Sequence, residues 1–221
     1  MSLALFLIFR HPAATVDGHE LAAAGHRLAA LPGLAEGLAM TPAATSDPYL
    51  DDGRPPPLAL QLAFDAIENL EAALCGPAQE IAATLTSLAG AEITEQAMLT
   101  RRFPVPEPKH GACTYFTSYE GEADDANAWL SHYIAHHPPI MARFPAIRAI
   151  EIYTRIDWIS GTGWARGSAL QRNKVVFDDE QALAAALNSP VRHDMRADFA
   201  RFPPFHGSNT HYPMHTAIIA R

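Results

Sequence analysis

The chain has 221 residues, 48% of them hydrophobic, which is enough for one large core or two modest ones. Its formal charge of −8 at pH 7 argues against a nucleic-acid partner, because phosphate binding needs clustered Lys and Arg. The excess is uneven: residues 1–110 hold 13 acidic and 6 basic side chains and residues 111–221 hold 11 and 10, so the first half carries the charge expected to serve solubility.

Leu3 to Phe9 is a continuous apolar run and reads as a buried strand. It lacks the basic start of a signal peptide, and no stretch approaches the roughly 20 apolar residues of a membrane span. Asp17 is placed to cap a helix through Leu31, whose apolar positions Leu21, Leu28 and Leu31 recur at spacings of seven and three; Pro32-Gly33 stops it. Leu34 to Ala44 is the next strand. Thr45 to Pro57, rich in Asp, Pro and Gly, is a loop. Leu58 to Phe64 is a third strand. Asp65 is placed to cap a helix through Leu74 that resumes from Ala78 to Leu88 after Gly76-Pro77. Ile93 to Arg102 is a fourth strand. The order β-α-β-β-α-β is ferredoxin-like. Three prolines between Phe103 and Gly111 mark a stiff linker.

The order then repeats. Cys113 to Tyr119 is a strand. Asp124 to Arg143 starts as a helix that Pro138-Pro139 interrupts or ends. Ile147 to Ile159 is a long strand with Ile150 and Ile152 on one face and Glu151, Tyr153 and Arg155 on the other. Ser160 to Gly163 is a turn, Ser168 to Phe177 a strand, Asp178 a helix cap, and Met214 to Arg221 the closing strand. The two halves also match in sequence. Phe64 to Pro77 aligns with Phe177 to Pro190 at an offset of 113 residues, with seven of fourteen pairs identical. The expected organisation is therefore two ferredoxin-like repeats, residues 1–106 and 107–221, of class α+β. Each leaves one sheet face bare, so the repeats are expected to pack sheet to sheet as a single-chain α/β barrel with a ligand-sized space between the sheets. Cys75 and Cys113 form no disulfide framework, and a reduced cytoplasmic protein is expected.

Histidine carries the chemical signal: eight of the eleven fall in residues 110–221. His132 and His136 are one helical turn apart, but without an acidic partner this spacing does not define a metal site. His137 precedes Pro138, which biases its backbone towards the extended region at the helix end and would turn its ring into the barrel mouth. A neutral imidazole there can accept and return a proton; hydrogen bonding at the helix C-terminus is the alternative. Alternation puts His211 and His215 on one strand face, from which His215 could approach His137. His206 and His211 flank a Gly-Ser-Asn turn and are expected to be exposed. Tyr153 and Arg155 could orient a phenol or carboxylate, although ordinary sheet-face pairing would explain them equally. Trp129, Trp158 and Cys113 read as core.

The segment His137-Pro138-Pro139-Ile140, followed by Pro145-Ala146-Ile147, resembles the EthD family of the dimeric α/β barrel superfamily, whose pattern is His-x-Pro-Leu and then Pro-Gly-Leu entering the second strand. The first half keeps Pro32-Gly33-Leu34 but has Ala24 where the second has His137. The resemblance implies the barrel fold and a cavity for small organic molecules. It implies activity less firmly: relatives include dehydratases, decarboxylases, cyclases, cofactor-free monooxygenases, lactone isomerases and haem peroxidases. Two functions follow as expectations. One is an enzyme acting on an aromatic or polyketide-like molecule, with His137 and His215 catalytic, Tyr153, Arg155, His132 and His211 binding substrate, and no cofactor or metal needed. The alternative is a non-catalytic protein holding a hydrophobic ligand. The expected partner is a small molecule rather than nucleic acid or membrane, and the internal pair allows a monomer or a homodimer.

Overall fold

The computed structural model describes residues 2–221. Its first half runs β1 (Ser2–Arg10), α1 (Gly18–Leu28), β2 (Leu34–Pro42), β3 (Leu58–Phe64), α2 (Ile67–Leu74), α3 (Pro77–Ala82) and β4 (Glu92–Phe103). The second runs β5 (Cys113–Ala123), α4 (Ala126–Met141), β6 (Ile147–Arg155), the short β7 (Ala165–Arg166), β8 (Ala169–Phe177), α5 (Glu180–Leu187), α6 (Val191–Phe199) and β9 (Phe205–Ala220). Within the first half the strands lie in the order β4-β1-β3-β2, and within the second β9-β5-β8-β6. Edge strands join across the halves, β2 to β9 and β4 to β6, so eight antiparallel strands close into one barrel and no long edge stays unpaired. The α+β barrel expected from the sequence is present. Among the described residues, no helix is long and apolar enough to cross a membrane.

Period-two alternation sorts the side chains into three cores. Outward-facing positions of each half pack beneath that half's helices, around Leu5, Leu60 and Leu70 in the first and Trp129, Tyr133, Ile150 and Leu183 in the second. Inward-facing Phe6, Met40, Met98, Phe116, Tyr153 and Tyr212 fill the barrel. A polar layer of Gln61, Glu151 and Lys174 lies among them: Lys174 Nζ is 3.0 Å from Gln61 Oε1 and 3.1 Å from Glu151 Oε2. The middle of the space between the sheets, expected to hold a ligand, is thus packed, while inward-facing Leu38, Glu151, Lys174, Val176 and Thr216 line a hollow at one barrel end.

Several expected boundaries shift. α4 continues through Pro138 and Pro139 to Met141, with His137 inside the helix. The two prolines fall in its last turn, where the lost N–H donors free only the carbonyls of Ile134 and Ala135, and Pro138 and Met141 bury themselves against the second core. Asp179, not Asp178, caps α5, while Asp178 binds Arg148 and Lys109. Asp65 does not cap α2; it accepts a hydrogen bond from Asn69. The helix resumed after Gly76 is only α3, followed by a short helical turn at Thr86–Leu88. β6 ends at Arg155, and β9 begins at Phe205, so Gly207-Ser208-Asn209 lies within a strand rather than a turn. Ala146 adopts φ 56°, matching φ 68° at Gly33, its counterpart at the offset of 113. This left-handed turn before the second strand favours glycine, and the second half makes it with alanine.

Candidate functional site

Outside the barrel, the second half's helices stand off the sheet and leave a cleft. Its floor is the outward face of β5 (Tyr115, Thr117, Tyr119), β8 (Asn173, Val175) and β9 (Asn209, His211). Its walls are His137 and Met141 of α4 and Arg192, Met195 and Phe199 of α6. An outer chamber of about 340 Å³ narrows to a recess of about 30 Å³ against the sheet. The loop of residues 43–57, from the first half, crosses the opening and adds Leu50.

His137 reaches this cleft because of its position in α4. It follows Trp129 and Tyr133 by eight and four residues, the stripe that faces the sheet, and Trp129, Tyr133 and His137 are all buried. Its ring packs against Tyr133 and Phe202 at centroid distances of 4.8 and 5.1 Å. Its Nδ1 lies 2.7 Å from Oδ2 of Asp198 on α6, a carboxylate whose side chain is 7% exposed. The carboxylate is an acceptor, so Nδ1 carries the proton and Nε2 keeps its lone pair. Nε2 makes no hydrogen bond to the described residues, and the side chain lines the cleft. Burial pushes the imidazole down to about 4, against the upward pull of Asp198, so His137 is neutral at pH 7. The short contact does not argue otherwise, because Nδ1–H donates to Asp198 in either charge state and burial decides between them. His132 stands behind: its Nε2 is 3.4 Å from Asp198 Oδ1, in a geometry that makes no hydrogen bond.

A second histidine–carboxylate pair lies across the cleft. His211 Nδ1 is 2.9 Å from Oδ2 of Asp52, and the same oxygen accepts the His211 backbone N–H at 2.8 Å. Burial lowers the pKa of His211, with Asp52 opposing. Its ring stacks on Tyr115 at 5.6 Å. His211 is thus in the cleft rather than at an exposed turn, and its alternation partner His215 lies farther along β9, 2.8 Å from Glu180 at the protein surface. Asp47, from the same loop as Asp52, sits 2.8 Å from Arg192 and accepts from the Tyr115 hydroxyl. Burial raises the Tyr115 phenol far above its ordinary range, so it acts as a donor.

The candidates from sequence therefore separate. His137, His132 and His211 lie in or behind one cleft; His215, Tyr153 and Arg155 do not line it. Tyr153 faces into the barrel, fully buried, and donates to Glu151, whereas Arg155 forms a two-pronged bridge to Glu122 at 2.7 and 2.8 Å. The sequence reading missed Asp198, Arg192, Asp47 and Asp52. Helix α6 had a usable signal, since Val191, Met195 and Asp198 at spacings of four and three put a carboxylate on a buried stripe. The two loop aspartates had none. At the offset of 113, His137 and Asp198 correspond to Ala24 and Leu85, both buried in the first half's apolar core, so only the second half has the pair. A larger hollow, about 680 Å³, lies at a barrel end beside the linker, and its charged groups pair with one another: Arg148 with Asp178 and Glu107, Lys174 with Glu151.

No protein-family model and no curated protein matches the sequence. Solved structures do match in fold. An anthrone oxidase-like protein superposes with a TM-score of 0.63 at 13% identity, covering 100% of this chain and 94% of its own. A proposed monooxygenase of Fusobacterium nucleatum gives 0.60 at 7% identity, covering 98% and 93%. A proposed monooxygenase of Lactobacillus acidophilus gives 0.57 at 10% identity, covering 100% and 98%. These likenesses show the fold alone, an antiparallel α+β barrel shared over nearly the whole length of each chain.

Proposed function

We propose that the cleft is an acid–base active site of the EthD-like type, in which His137 removes a proton from an activated carbon of an aromatic or polyketide-like substrate. The observation that carries this reading is the buried His137–Asp198 pair, with its free Nε2, beside a chamber of about 340 Å³. That volume suits a molecule of two or three fused rings, and Tyr119, Met195, Phe199 and Leu50 give it apolar walls. In the step envisaged, the C–H bond beside a carbonyl breaks, the proton goes to Nε2, and the electron pair moves to the carbonyl oxygen as an enolate. Burial disfavours an isolated imidazolium, but the one formed here lies between Asp198 and the new enolate. The cost is thus offset where charge develops. Dehydration, decarboxylation, isomerisation or attack on O2 can each proceed from that enolate. Two further expectations belong to the same proposal: that the two halves are tandem repeats meeting near residue 106, and that the first serves mainly as scaffold.

The test is deuterium exchange at C1 of 2-tetralone in D2O. The protein should accelerate it, and His137→Gln should return it to the background rate. Acceleration that survives in His137→Gln would remove His137 as the base. The accelerated rate should be flat from neutral pH to about 5 and fall as pH drops through about 4, where the base becomes protonated. Tight binding of 2-tetralone without exchange would favour the carrier reading, in which the histidines supply polarity alone.

A further inference from the structure

The loop of residues 43–57 belongs to the first half, yet two of its three aspartates, Asp47 and Asp52, are fixed to the polar groups of the second half's cleft. Asp47 also accepts the backbone N–H groups of Tyr49 and Leu50 at 2.7 and 3.1 Å, which folds the loop into a turn over the opening. Tyr49 lies beneath the guanidinium groups of Arg192 and Arg196, at 6.0 and 5.5 Å. The loop is thus a built wall of the cleft.

Two consequences for the ligand follow from chemistry alone. The first concerns His211. A backbone N–H is always a donor, and the His211 N–H ends on Asp52 Oδ2, so that oxygen must accept. The ring Nδ1 reaches the same oxygen and therefore also donates. The neutral ring then holds its lone pair on Nε2, which makes no hydrogen bond to the described residues and belongs to a side chain that lines the cleft. A ligand that covers this acceptor must bring a donor to it or leave it buried and unpaired, which is costly. The second concerns charge. Asp47, Asp52 and Asp198 meet one buried cation, Arg192, while Arg196 stays exposed at the rim. With both imidazoles neutral this set is net negative, and it disfavours a carboxylate in the chamber.

We infer that His211, held by Asp52 from the opposite half, is the specificity-determining acceptor of the cleft, and that the ligand is an uncharged aromatic molecule whose hydroxyl donates to His211. This rests on the cleft being the binding site, and it deepens the proposed function by naming what the substrate must carry. Asp52 is a positioning residue: it touches no ligand and acts by fixing the His211 tautomer. The phenol of Tyr115, stacked on the ring, prevents the imidazole from turning away.

Titration calorimetry with 2-naphthol, 2-methoxynaphthalene and 2-naphthoate tests this. 2-Naphthol should bind about tenfold more tightly than its methyl ether, the factor expected when a buried acceptor gains or lacks its donor, and 2-naphthoate should bind weakest. His211→Leu should bring naphthol and ether within about twofold of each other. Asp52→Ala should do the same, whereas Asp52→Asn should keep most of the preference, because the amide oxygen still accepts both N–H groups. Tightest binding of naphthoate, an unchanged preference in His211→Leu, or no binding of any of the three would overturn the inference. The 2-tetralone exchange separates the two readings. Exchange lost in His137→Gln without a naphthol preference leaves the base standing and removes the role of His211. A naphthol preference without exchange does the reverse.

Discussion

Acid should weaken the native state through His137 in particular. The imidazole is held down to about 4 in the folded chain and returns to its ordinary 6.5 on unfolding. Between those values the unfolded chain binds a proton that the native chain refuses. Stability from this group is therefore complete above pH 6.5 and falls as the pH drops towards 4. The gap corresponds to about 3 kcal/mol in total at about 1.4 kcal/mol per pH unit, and the side chain is 6% exposed, so solvent screens little of it. The groups facing the ring are Asp198 and Arg192 of α6, His211 of β9 and Tyr133 of α4. Of these, Asp198 favours the cation, while Arg192 and His211 oppose it. Urea unfolding of the wild type and His137→Gln at pH 7.0 and 4.5 isolates the effect. The stability advantage of the wild type should shrink by about 2–3 kcal/mol on acidification. An advantage that stays constant, or grows in acid, would mean that His137 is already cationic in the folded protein as an ion pair with Asp198. The assignment of a free lone pair on Nε2 would then fail.

Other substitutions test the surrounding geometry. Asp198→Asn keeps a hydrogen-bond acceptor but removes the charge that supports the imidazolium, and it should slow 2-tetralone exchange by about 10- to 100-fold while leaving naphthol affinity nearly unchanged. Arg192→Leu strands Asp47, whose side chain is 2% exposed, and should cost about 3–5 kcal/mol in urea unfolding, with part recovered in the Arg192→Leu/Asp47→Asn double variant. Ala146→Gly relieves the left-handed turn and should raise stability by about 0.5–1 kcal/mol, whereas a loss would mean that alanine is unstrained there. Ala24→His would place an imidazole in an apolar core beside Leu85, and should destabilise by about 2 kcal/mol or more without creating a second exchange site.

What was legible in the sequence follows the reach of the signals. Strand runs such as Leu3–Phe9 and the shared Phe64/Phe177 segment report local burial, and two copies of one element order lead directly to a closed barrel. The contents of the barrel were not legible. Alternation shows that Phe6, Phe116 and Tyr153 face inward, but not that their volumes fill the space. Local rules also misjudged Pro138-Pro139: the propensity to end a helix gave way to burial of the last turn. The family resemblance singled out His137, but its position was misread: extended backbone and a ring in the barrel mouth were expected, whereas the residue is helical and its ring lies in the cleft outside the barrel. Its partner was not legible, since Asp198 lies 61 residues away and only packing of α6 on α4 brings the two together. His215 failed to join it because β9 is long enough to carry the residue away to Glu180. Asp52 illustrates the limit: a loop aspartate 159 residues from His211 has no local pattern that separates it from a turn-forming residue.

Nitrogen-15 NMR of the histidine side chains at pH 7, before and after saturation with 2-naphthol, tests the central claim most directly. The account predicts that His137 and His211 are both neutral and protonated on Nδ1, and that both Nε2 resonances move when the ligand fills the cleft. An imidazolium signal from His137, or Nε2 resonances that stay fixed at saturation, would contradict it.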